Sequence, residues 1–137
     1  MYYKELLPNG CKYIPIDYVK RSDDSIVCDF NSIDFPDIKA DVALVSGVLH
    51  YIEDPVRFLN WVCDVANRKI IVRHILFEIF SKAVPPTPEN YKFLGIRSMI
   101  SMSEIKEVIS KRGFTVTREE VFITHEDNPL LCFEKVN

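Results

Sequence analysis

Glycine is scarce in this chain. Gly10, Gly47, Gly95 and Gly113 are the four in 137 residues, and no two are near each other, so there is no Gly-rich loop of the GxGxG kind. Cys11, Cys28, Cys63 and Cys132 form no CxxC pair. A zinc site or a disulfide scaffold would show closer, paired spacing, so the sequence predicts reduced thiols, no metal and a cytoplasmic protein. No apolar run approaches the roughly 20 residues of a membrane helix. Met1 to Glu5 has no basic region followed by an apolar stretch, which argues against a secretory signal. With a net charge of −3 and no Lys/Arg stripe, nothing marks a nucleic-acid partner. Repeats, low-complexity tracts and nucleophile signatures of the Ser/His/Asp or Cys/His type are absent too.

What remains is an ordinary soluble composition, in a chain long enough to bury one core, so residues 1–137 are expected to form a single domain. The most informative stretch is Ala40 to Pro55, ADVALVSGVLHYIEDP. Its apolar run, Val42 to Val45, reads as a strand covered on both faces. It stops at Ser46-Gly47, where a ligand or another backbone can come close. Asp54 is a good N-cap and Pro55 a good first helical residue. Phe58, Leu59, Val62 and Ala66 then recur at helical spacing until Asn67-Arg68, and Lys69 to Arg73 is again strand-like. Strand, helix and strand over residues 41–73 are the pattern of a βαβ unit, and open α/β sheets place their chemistry at the carboxyl ends of such strands.

The flanks fit the same fold class. Lys12 to Tyr18 and Ser25 to Asp29 read as short strands, the first interrupted by Pro15. Residues 75–80 suggest a short helix, and Pro85-Pro86-Thr87-Pro88 breaks any regular element before Tyr91 and Phe93. Ser101 and Glu104 fit a capping box, with Gly113 closing that helix. Phe114 to Thr124 and Leu130 to Val136 read as a closing hairpin.

The residues Val45-Ser46-Gly47-Val48-Leu49-His50-Tyr51-Ile52-Glu53-Asp54-Pro55 resemble the fourth strand and following turn of class I S-adenosylmethionine-dependent methyltransferases of the small-molecule type. The resemblance runs in order from about Tyr13 to Val136. It implies a Rossmann-like sheet, mostly parallel, with a C-terminal antiparallel hairpin, and S-adenosylmethionine as cofactor. Asp17, followed by Tyr18, matches the acidic residue that holds the ribose hydroxyls, since a carboxylate can accept from both groups of a diol. Asp29 and Phe30 match the pair around the adenine. Ser46 and Gly47 match the loop beside the methionine part. Residues 74–100 would supply a lid over a small-molecule acceptor, with a sugar or cell-surface precursor the favoured type.

The chain departs from that family at its first strand and Gly-rich loop, which are missing; Met1 to Pro8 reads as the end of the helix that should follow them. The vacated place calls for direct pairing of the neighbouring strands, a rearranged sheet, or a strand from another chain, and so for a possible homodimer. Two further readings stay open, a catalytically inactive binding or assembly module and a fragment of a longer enzyme. His50 is the candidate general base, against the reading of a partly exposed turn histidine. His74 is a second candidate on the same sheet edge, and His125 is expected to be solvated.

Overall fold

Val45, Ile70 and Val72 are β-branched, favour extended backbone, and are buried in the sheet of the larger unit. The computed structural model describes residues 3–74, 87–120 and 129–137. The chain divides into two compact units, residues 1–36 and 37–137.

In the larger unit, strand β3 (Ala40–Ser46) pairs in parallel with β4 (Ala66–Arg73), with Leu44 opposite Ile71 and Ser46 opposite Arg73. Helix α1 (Pro55–Val65) makes the crossover between them. It starts where the sequence indicates, the Asp54 carboxylate accepting from the Arg57 N–H at 2.9 Å ahead of Pro55. It ends two residues sooner than expected, because Ala66, Asn67 and Arg68 already belong to β4. Helix α2 (Pro88–Leu94) is capped by Thr87, so the expected break at Thr87-Pro88 is instead a helix start, with proline at N1 where its missing N–H costs nothing. Helix α3 (Met102–Lys111) has the predicted capping box between Ser101 and Glu104. Strands β5 (Phe114–Glu120) and β6 (Leu130–Lys135) are antiparallel, and β6 also runs antiparallel to β4, giving the order β3-β4-β6-β5. The expected helix at 75–80 and His125 lie outside the described residues.

Helices α1 and α3 pack against each other, and α3 also packs on β5. Phe58, Leu59 and Val62 of α1, Ile105 and Ile109 of α3, and Val45, Ile70, Val72, Leu131 and Phe133 of the sheet are all buried. Each such side chain contributes roughly 1.5–3 kcal/mol on burial. The opposite face differs from expectation: Val42 and Leu44 are 49% and 43% exposed, so β3 is covered on one face and not on both. An apolar run cannot by itself distinguish a strand buried on both faces from one that awaits a cover.

In the smaller unit, β1 (Ile16–Asp17) and β2 (Ile26–Val27) form a two-stranded parallel sheet. Both are much shorter than the expected 12–18 and 25–29. Pro15 supplies no N–H, although its carbonyl accepts from Ile26 N at 2.9 Å, and two strands alone make a marginal sheet. Tyr3–Leu6 is a 3-10 turn. Among the described residues β1 pairs with β2 alone, and β3 ends its own sheet's order. The four cysteines are free thiols; burial pushes that of Cys63 up to about 11.

His74, directly after β4, is 2% exposed. Burial lowers its pKa to about 4, opposed by its bond to the Ile100 carbonyl and assisted by the neighbouring His50. The folded state therefore holds this ring neutral, while an unfolded chain titrates it near 6.5. The stability it contributes is whole above the unfolded value and is lost as pH falls through that window toward the folded one. Urea unfolding should show a loss of up to about 3 kcal/mol over this range, reduced in His74→Phe. An equal decline in both proteins contradicts the assignment.

Candidate functional site

At the carboxyl end of β3, Gly47 donates its N–H to the Arg73 carbonyl at 3.0 Å, so the pairing with β4 extends to the turn itself. Its φ of 63° lies in the left-handed region, which explains the glycine. A Cβ there would meet nothing within 4 Å, so the residue is required for the turn and not for a close approach of the chain's own backbone. Ser46, the last residue of β3, is half-buried opposite Arg73. The chain then makes a 3-10 turn, Leu49–Tyr51, that carries His50.

This turn is held from 46 residues further on. The His50 carbonyl accepts from the N–H groups of Arg97 and Ser98 at 2.8 and 3.3 Å. The Ser98 hydroxyl donates to the carbonyls of Ile52 at 2.6 Å and Leu49 at 3.3 Å. Arg97 pairs with Glu53. Two residues later, the Ile100 carbonyl lies 3.2 Å from His74 Nε2. Segment 97–100 therefore fixes both histidines, and no motif in the sequence marks it. The rings of His50 and His74 have centroids 6.3 Å apart, and the Tyr51 ring lies 4.0 Å from that of His50. His50 is half-buried in this turn, which fits the partly exposed turn histidine as well as a base, and burial lowers its pKa, which keeps the imidazole neutral.

In the smaller unit, Asp17 and Asp29 follow from adjacent parallel strands, joined by the bond from Cys28 N to the Asp17 carbonyl at 2.9 Å. The Asp17 carboxylate accepts from Val19 N at 3.3 Å and from Arg21 Nε at 3.2 Å. It lines a cavity of about 490 Å³ with Lys4, Tyr13, Arg21 and Ser25. The Arg21 contact was missed in reading the sequence, although its i,i+4 offset from Asp17 is visible there. Tyr18 is 69% exposed. Asp29 Oδ1 accepts from Asn31 N at 2.9 Å in a local turn, and the Phe30 ring meets Phe35 edge-on at 5.8 Å. A carboxylate has about four lone-pair sites, so both acids keep capacity for a diol and an amine. These acceptors suit a nucleoside's hydroxyls and amine.

A family described as "Methyltransferase domain" matches residues 3–69, just under half of the chain. No curated protein matches the sequence. Among solved structures, an S-adenosylmethionine-dependent methyltransferase from Mesorhizobium loti aligns with a TM-score of 0.67 at 14% identity, over 89% of this chain and 79% of that one. Magnesium protoporphyrin IX methyltransferase from Synechocystis PCC 6803, with bound SAH, gives 0.57 at 16% identity, over 82% and 51%. An enzyme described as a pericyclic reaction enzyme gives 0.63 at 13% identity, over 97% and 39%. The chain thus spans about half the length of the Synechocystis enzyme, and at these identities the likeness is one of fold. Residues 3–69 are thus similar to the methyltransferase-domain family, and the chain shares its fold with these solved structures.

Proposed function

We propose that this chain binds S-adenosylmethionine and directs methyl transfer to a small-molecule acceptor, with a sugar or cell-surface precursor the favoured type. The observation that carries the reading is the pair of carboxylates, Asp17 and Asp29, at the ends of adjacent parallel strands. Asp17 holds the ribose hydroxyls beside Tyr18, Asp29 accepts from the adenine amine, and Phe30 covers the ring. Ser46 and Gly47 border the methionine part. When bound, the cofactor supplies a methyl already activated on a sulfonium, so the protein's task is orientation more than nucleophilic chemistry. His50, held neutral by burial, accepts the proton that the acceptor gives up. We place the protein in the cytoplasm. Among the described residues no helix is long and apolar enough to cross a membrane.

The second reading, a catalytically inactive binding or assembly module, is favoured by one observation: Arg21 already occupies part of the Asp17 carboxylate. Such an exposed pair is worth at most about 1 kcal/mol, too little to exclude a ribose that offers two hydrogen bonds. The fold itself does not decide between catalysis and binding.

A homodimer belongs to the proposal as well. The outer edge of β3 presents backbone donors and acceptors with no described strand beside them, and its neighbours Val42 and Leu44 are exposed. Elution as a clean monomer from a size-exclusion column at micromolar concentration contradicts the dimer. For the cofactor, calorimetric titration with S-adenosylmethionine should give micromolar binding that Asp17→Ala weakens at least tenfold, about the loss expected for two hydrogen bonds to a charged acceptor. No heat at millimolar ligand, or an Asp17→Ala variant that binds as well as the parent, overturns the enzyme reading in favour of the module.

A further inference from the structure

The larger unit's sheet has one face turned away from α1 and α3, and that face ends in a cation that nothing answers. Parallel register sets Val42 beside Lys69, Leu44 beside Ile71 and Ser46 beside Arg73, and residues two apart on a strand share a face. Lys69 is paired across the strands with Glu134 at 2.9 Å. The Arg73 guanidinium, half-buried at the end of the row, has no hydrogen bond or ion pair among the described residues. Its five donors suit a carboxylate. On the neighbouring strand Val42 and Leu44 are 49% and 43% exposed.

A second uncovered surface lies on α2. Phe93 is 89% exposed, and Leu94 is exposed beside it. Glu89 precedes Phe93 by four positions, which sets both on one side of the helix, and its carboxylate has no ion pair among the described residues. A lone exposed aromatic is ordinary. An aromatic with an acid one turn away is the complement of an apolar face that ends in an unanswered cation. The two surfaces also stand at the same end of the sheet. Helix α2 closes at Gly95, where a Cβ would lie 3.8 Å from the Tyr51 ring, and Tyr51 ends the turn that follows β3. A two-fold axis at this end repeats each contact reciprocally, so one association covers both surfaces of both copies.

We propose that a second copy of this chain covers the open sheet face, with Phe93 of each copy laid on Val42 and Leu44 of the other and Glu89 paired with Arg73. The inference rests on the homodimer proposed above and names the side chains that make it. The apolar contact supplies most of the affinity, and the charge pair sets the register.

Sedimentation equilibrium of the full chain across the micromolar range provides the test. The parent should show a monomer–dimer equilibrium, and Phe93→Ser should weaken the dimer roughly tenfold or more. Arg73→Glu and Glu89→Arg should each weaken it at least tenfold, because like charges then meet at both contacts. An equimolar mixture of the Arg73→Glu and Glu89→Arg chains should dimerise to within about threefold of the parent, since each of the two contacts again joins opposite charges. That recovery also shows that both variants fold. A parent that stays monomeric overturns this contact and the homodimer together. A dimer indifferent to the three substitutions overturns the contact alone and leaves association to backbone pairing at the β3 edge. Species that grow beyond the dimer with concentration, or charge variants whose mixture fails to recover, also overturn it.

Discussion

The parallel pairing of β3 with β4 is the constraint on which the larger unit depends. It brings Ser46 level with Arg73, lets Gly47 bond to the Arg73 carbonyl, and so fixes where the chain leaves the sheet. From that exit follow the 3-10 turn at 49–51, the Asp54 cap and the direction of α1. The same pairing puts His74 one strand away from His50. Parallel strands cannot be joined by a tight turn, so α1 is obligatory, and its buried face with that of α3 supplies the core that holds the pair together.

That core is one-sided. Both α1 and α3 bury their apolar faces with the same side of the sheet, while Val42 and Leu44 on the other side remain exposed and β3 has an open edge among the described residues. A sheet of this kind is normally closed by more strand or more helix.

Local chemistry was legible in the sequence where a single residue type decides the outcome. Asp54-Pro55, Ser101 with Glu104, and Gly113 gave helix ends because each satisfies or spares a specific backbone group. The apolar period gave α1 and β3. Strand lengths in the smaller unit were not legible, since pairing in a two-stranded sheet depends on partners and not on propensity. Nor was the start of α2, where Pro88 opens a helix instead of ending one. In the candidate site, the acidic residues and the Ser46-Gly47 turn could be read from their place after strands. The clamp from Arg97 and Ser98, and the carbonyl of Ile100 on His74, are contacts across 46 or 26 positions to which no spacing rule applies.

The central proposal is that Asp17 and Asp29 hold the nucleoside half of the cofactor. A calorimetric comparison of adenosine with S-adenosylhomocysteine measures this directly. The account predicts dissociation constants within about tenfold of each other, because the hydroxyls and the amine that the two carboxylates bind are common to both ligands. A preference for S-adenosylhomocysteine of a hundredfold or more, or no detectable binding of adenosine, contradicts it.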